Sequence, residues 1–249
     1  MRAALIAAAA LLAAVACSGK SGDTTTFPAP VTERPGPLYV AIGASETVGA
    51  GAREPLRDAW PKVLFRTGLP RGATFVNLGV PGATVAEALH QQAPYAVSLR
   101  PDLATVWLNV NDLVANVSVR AYERDAKELL SRLRRAGVDE ILMANTPPLT
   151  NLPAYRACRP DPPRGPPCFA DRLLPPPRVV DSRVAAYNAA IARVAAQEEA
   201  RLVDLHSLAL DLEPRNASLD LVSDDGFHPS TAGHRAVAEA FVDALKSEQ

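Results

Sequence analysis

Leu38-Tyr39-Val40-Ala41-Ile42, running straight into Gly43-Ala44-Ser45-Glu46-Thr47-Val48-Gly49, decides how the rest of the chain is read. Five apolar residues in a row, without polar alternation, describe a strand covered on both faces, as in a parallel sheet. A turn of small residues follows directly and would present Ser45 at the mouth of that sheet. The same rhythm recurs downstream. Thr74 to Leu78, Leu103 to Leu108, Glu140 to Ala144 and Leu202 to Leu205 are further apolar runs, each expected to be buried on both faces. Helical patterns over Ala59 to Thr67, Thr84 to Gln91, Val119 to Ala136 and Ser182 to Glu199 lie between them, and a last one runs from Ser230 to Lys246. Gly137 sits where a helix C-terminal glycine belongs. Alternation of this kind predicts an α/β fold, a parallel sheet with helices on both faces, whose chemistry collects outside the carboxyl ends of the strands.

The stretch from Thr146 to Val180 breaks the rhythm. Its prolines, including Pro147-Pro148 and Pro175-Pro176-Pro177, argue against regular helix, and it is too long for an ordinary connection. Because it follows the carboxyl end of a strand, it is expected to overhang the site, either as a substrate-shaping lid or as a decorative surface insertion. Leu149, Leu152, Leu173 and Leu174 would either line a pocket there or pack the loop onto the domain.

Four segments carry chemistry. Ser45 follows the first strand, but this is not the Gly-x-Ser-x-Gly elbow of α/β-hydrolases, since Thr47 takes the final glycine position. Asn77-Leu78-Gly79-Val80-Pro81-Gly82-Ala83-Thr84 follows the second strand, and Trp107-Leu108-Asn109-Val110-Asn111-Asp112 the third. A glycine lets a backbone N–H approach a developing oxyanion, and an asparagine offers an N–H₂ donor for the same charge. Asp225-Gly226-Phe227-His228 precedes the last helix. An aspartate three residues before a histidine can orient and charge-stabilise an imidazole that deprotonates a serine brought close by folding.

Together these segments resemble the SGNH hydrolase family, also called GDSL-type esterases and lipases. The resemblance runs from Leu38 to about the C-terminal helix and includes Trp60-Pro61, a pair common in relatives. It implies a three-layer α/β/α sandwich around a flavodoxin-like five-stranded parallel sheet. It also implies Ser45 as nucleophile, His228 as base, Asp225 as partner acid, and Ser45, Gly82 and Asn111 as oxyanion donors. Gly82 is chosen over Gly79 because Gly82-Ala83-Thr84 matches the family's Gly-Asp-Thr-like pattern. The chain departs from the family twice. Ala44 replaces the aspartate of Gly-Asp-Ser, and Asn109 opens the usual Gly-x-Asn-Asp. Glu46 beside the serine would either replace some polar support or face solvent. The implied reaction is ester hydrolysis through an acyl-enzyme, needing neither metal nor organic cofactor, on short-chain acyl, lipid or O-acetyl esters. The rival is a catalytically inactive, surface-tethered binding module on the same fold.

Among the remaining histidines, His90 is expected on a helix surface, His206 in a structural hydrogen bond near Asp204, and His234 as a surface or packing residue. Met1-Arg2 and the Ala/Leu run to Ala16 have the form of an export signal, residues 1–16. Ala14-Val15-Ala16-Cys17 resembles a bacterial lipobox in which Cys17 is lipidated, with ordinary secretion cleavage as the alternative. Residues 17–37 then form a Gly/Ser/Thr/Pro-rich tether, and 38–249 the hydrolase domain with its insertion at 146–180. The protein is therefore expected outside the cytoplasm in the cell envelope, anchored to a membrane by its lipid and monomeric. In an oxidising compartment Cys158 and Cys168 are expected to form a disulfide that closes a small loop; no third cysteine or histidine completes a zinc shell there. Lys+Arg 26 against Asp+Glu 27 leaves no basic excess for nucleic acid, and the Arg132-Leu133-Arg134-Arg135 run is expected to be a solvated helix face.

Overall fold

A computed structural model describes residues 35–159, 174–212 and 218–247, all within the compact unit Arg34–Gln249. The expected export signal, Cys17, Cys168 and Leu173 lie outside the described residues. Five strands, β1 (Leu38–Gly43), β2 (Thr74–Asn77), β3 (Leu103–Trp107), β4 (Glu140–Ala144) and β5 (Arg201–Val203), form one parallel sheet in the order β2-β1-β3-β4-β5. The chain steps from β1 to one neighbour and returns to the other side for β3. That reversal opens a crevice at the carboxyl end of β1, where ligands bind in open α/β sheets.

The first helices are α1 (Ser45–Val48), α2 (Pro55–Asp58), α3 (Trp60–Gly68), α4 (Val85–Gln91), α5 (Ala93–Leu99) and α6 (Val110–Val114). After them come α7 (Val119–Arg135), α8 (Pro153–Ala157), α9 (Pro177–Gln197), α10 (Leu205–Leu212), α11 (Ser218–Leu221) and α12 (Thr231–Lys246). Side chains alternate between two cores, as the pleat of a strand requires. Leu38, Val40 and Ile42 of β1 pack with Leu129, Leu133, Tyr187 and Ile191 of α7 and α9, whereas Tyr39 and Ala41 meet Trp60, Leu64 and Phe241 of α3 and α12. Trp60 stacks on Phe241 with ring centroids 4.3 Å apart.

The expectation of strands buried on both faces holds for β1, β3 and β4 but fails for the edges. β2 is exposed or half-buried along its length, and β5 buries only Val203, since each has a sheet neighbour on one side only. Most expected helices are found within a residue or two of their predicted ends. The exception is α9, which begins at Pro177, inside the stretch expected to be free of helix. A proline in the first turn costs nothing, because its missing N–H would have no partner there. The insertion likewise holds a 3₁₀ turn at Leu149–Asn151 and the short α8. Gly137 follows α7 at φ 84°, as a helix-terminating glycine should. Arg134, expected on a solvated face, is half-buried and donates to the carbonyls of Val138, Asp139, Glu198 and Glu199, tying the end of α7 to the end of α9.

Candidate active site

Ser45 is the first residue of α1, so its backbone N–H has no partner within that helix. Its Oγ lies 3.0 Å from His228 Nε2, and His228 Nδ1 lies 2.5 Å from Asp225 Oδ2. The other Asp225 oxygen accepts from Ser223 Oγ at 2.7 Å and from the N–H groups of Phe227 and His228 at 2.8 and 2.9 Å. Burial alone would raise the Asp225 carboxyl, but these bonds, led by that from His228, overcome it and hold the pKa at about 2. The aspartate is thereby fixed as an anion aimed at the imidazole.

This arrangement has a pH signature. The folded-state pKa lies below the ordinary carboxylate value, so the stability Asp225 contributes is fully present above about pH 4 and is lost as the pH falls toward 2. In Asp225→Asn that slope should vanish. The stability gap between wild type and variant, measured by urea denaturation at successive pH values, should therefore close between about pH 4 and pH 2.

Gly82 and Asn111 arrive from the strands on either side of β1. Gly82 takes φ 81°, and a Cβ there would meet nothing within 4 Å, so conformation and not space calls for glycine. Among the described residues its N–H has no acceptor, whereas the Gly79 N–H is taken by Asn77 Oδ1 at 2.9 Å. Asn111 Nδ2 donates to the carbonyl of Ala83 at 3.0 Å, fastening the third-strand loop beside Gly82 and leaving a second amide hydrogen. Asp112 accepts the Val85 N–H with both oxygens; burial pushes its pKa up to about 6, against the pull of that bond.

Ala44 is buried and gives α1 no side-chain cap. The strand end is held instead by Gln92, which is 2% exposed. Gln92 Oε1 accepts the Gly43 N–H at 2.9 Å while its Nε2 donates to the Gly43 carbonyl at 3.0 Å. A Cβ on Gly43 would fall 1.9 Å from Thr47 Oγ1, so the turn closes directly against the strand. Gly51, at φ 88°, passes so close over the histidine loop that a Cβ would sit 2.3 Å from the Pro229 carbonyl. Gln92, Gly51 and Ser223 carry no motif, and sequence reading passed over all three. Only the contacts of the folded chain reveal them.

Glu46 does not face solvent. It is 9% exposed, with Oε2 3.4 Å from Ser45 Oγ. His234 is fully buried and accepts the Trp60 N–H at Nδ1 (3.3 Å) while Nε2 donates to the Ala50 carbonyl (3.0 Å), so it is a packing residue. Burial lowers its pKa and keeps it neutral for that pair of bonds. His206 bonds the Thr146 carbonyl through Nδ1, and its N–H meets Asn145, which in turn holds Asp204. His90 is exposed, as expected. Asn109 is buried, its amide reaching the Ala144 carbonyl at 3.4 Å.

The insertion docks on the site. Ala154 N–H donates to the Gly226 carbonyl at 3.0 Å, seating α8 on the Asp225–His228 loop. Beneath it lies a cavity of about 480 Å³ walled by Leu149 and Leu152 of the insertion, Leu205 and Leu208 of α10 and Val237 of α12. Glu46, Phe227 and Pro229, the chain neighbours of Ser45 and His228, also line it, while Ser45, His228, Gly82 and Asn111 themselves do not. Leu174, expected there too, is half-buried and not part of that wall. Cys158 is buried, and its expected partner Cys168 lies outside the described residues. Among the described residues no group of three His, Cys, Asp or Glu side chains is placed to hold a metal ion.

Fold and site together define an SGNH-type α/β hydrolase. The chain belongs to the GDSL-like lipase/acylhydrolase family, whose model matches residues 41–236, and it is a carboxylic ester hydrolase. Among solved structures it is similar to an alpha/beta hydrolase enzyme from the metagenome of Lake Arreo, Spain, at 23% identity and TM-score 0.62 over 85% of this chain and 96% of that one. A lipase/acylhydrolase from Enterococcus faecalis is 18% identical, with TM-score 0.61 over 86% and 99%. A catalytic mutant of an acetylxylan esterase from Geobacillus stearothermophilus is also 18% identical, with TM-score 0.63 over 87% and 97%. Comparison with curated proteins gives no match.

Proposed function

We propose that the protein cleaves carboxylic esters through an acyl-enzyme on Ser45. His228 takes the Ser45 proton as Oγ attacks the ester carbonyl, and Asp225 stabilises the imidazolium that forms. The Ser45 and Gly82 N–H groups and the Asn111 amide hold the oxyanion of the tetrahedral intermediate. His228 then returns the proton to the departing alcohol, and water repeats the attack with His228 again as base. The observation that carries this reading is the unbroken path from Asp225 Oδ2 through His228 to Ser45 Oγ, at 2.5 and 3.0 Å.

The substrate in this proposal bears an apolar chain. Each buried methylene contributes about 0.8 kcal/mol, so a cavity walled by leucine, proline and phenylalanine favours a chain over an acetyl group. Two measurements test the reading. A fluorophosphonate probe should label wild type and not Ser45→Ala, and kcat/KM for p-nitrophenyl esters should rise from acetate into medium chain lengths. An unlabelled Ser45 would favour the binding-module alternative, and a maximum at acetate would remove the chain. The same proposal places the protein in the cell envelope as a monomer, exported by residues 1–16, anchored through a lipid on Cys17, and with Cys158 bridged to Cys168.

A further inference from the structure

Ala44 has no polar side chain, so Glu46 carries the one carboxyl within the turn that presents the serine. It is the second residue of α1, nine-tenths buried, and lines the cavity beneath the insertion. Ser45 Oγ therefore lies between two groups, Glu46 Oε2 at 3.4 Å and His228 Nε2 at 3.0 Å. A serine hydroxyl has a single proton and two acceptor lone pairs. Attack on an ester needs that proton directed at the imidazole.

Resting on the hydrolase reading above, we propose that Glu46 is a positioning residue whose protonation state decides where the serine proton points. As a neutral acid its O–H donates to Ser45 Oγ, and the serine proton is left for His228. As a carboxylate it can only accept, so it competes with His228 for that proton and sets a negative charge beside the oxygen that must attack.

The surroundings favour the neutral form. Burial pushes the Glu46 carboxyl above the ordinary carboxylate range; its own backbone N–H, His228 and Ser45 pull it back, and Asp225 adds to the rise. From the loop before α12 the titratable groups facing it are His228 and Asp225, and Arg156 of α8 lines the same cavity. The same cavity is otherwise lined largely by apolar residues, among them Trp107 of β3, Val110 of α6, Leu205 and Leu208 of α10, and Ala236 and Val237 of α12. An acid with a raised pKa is neutral below that value and ionises as the pH rises through it. The serine is thus productively oriented on the acid side and misdirected on the alkaline side.

The test compares wild type, Glu46→Gln and Glu46→Leu, each confirmed as folded by circular dichroism. Across a pH series, kcat and KM for p-nitrophenyl butyrate are measured together with the rate of fluorophosphonate labelling of Ser45. Wild type should lose about tenfold or more in both kcat/KM and labelling rate on the alkaline side. Glu46→Gln, which cannot ionise but still donates an N–H, should keep both rates level across that range. Glu46→Leu should lower kcat by about tenfold at every pH with a smaller change in KM, and glutamine should rescue that loss. One shared alkaline limb in all three proteins, or the same kcat loss for glutamine as for leucine, overturns the role of Glu46 while a labelled Ser45 leaves the hydrolase reading standing. No labelling of Ser45 in any protein overturns both.

Discussion

Replacing His228 with alanine is expected to lower kcat/KM for an aryl ester by about 10⁴–10⁶-fold with little change in thermal midpoint. In the proposed mechanism the imidazole, 3.0 Å away, takes the Ser45 proton and later returns it to the leaving alcohol. Asp225→Asn should cost less, about 10³–10⁴-fold, for a different reason. An amide N–H₂ turned toward Nδ1 would force the ring's proton onto Nε2, where it faces Ser45 and cannot act as a base. The double variant should be about as slow as His228→Ala alone, since residues acting as a unit do not add. Steady-state kinetics on the four proteins check this, and additive losses would separate Asp225 from His228 in function.

Asn111→Ala carries the second large effect, an expected drop of about 10²–10³-fold in kcat with KM moved far less. In the proposed mechanism the amide donates to charge that develops only in the tetrahedral intermediate, so its loss falls on turnover and not on ground-state binding. Its bond to the Ala83 carbonyl also steadies the loop that carries Gly82. Asp112 still holds the Val85 N–H in the variant, so the fold should survive. Equal losses in kcat and gains in KM would instead show that the loop had collapsed.

Much of the scaffold was legible because its signals are local. Apolar runs marked the three central strands, and Gly137 marked the end of α7. The edges misled because an apolar run does not say whether a second strand will lie beside it. The insertion misled because proline was weighed as a breaker, while at Pro177 it starts a helix. The helix α5 at Ala93–Leu99 went unread for a related reason: Pro94 lies in its first turn, where it is tolerated.

Within the site, Ser45, Asp225 and His228 were named from their places along the chain together with the family resemblance, whose pattern also preferred Gly82 to Gly79. In the folded chain the Gly79 N–H is spent on Asn77. What spacing could not supply was the support that replaces the missing aspartate at Ala44. Gln92, 49 residues from Gly43, became visible only when the chain was folded.

The sequence by itself determined the alternation of strand and helix, and with it the sheet's carboxyl edge and the residues that end there. These depend on periodicity and on turn chemistry, which are properties of neighbouring residues. Only the tertiary structure decided that Glu46 turns inward to the serine and not outward to water, and that the insertion seats on Gly226 to wall an apolar cavity. Burial and hydrogen-bond competition arise between segments distant in sequence, and no local pattern encodes them.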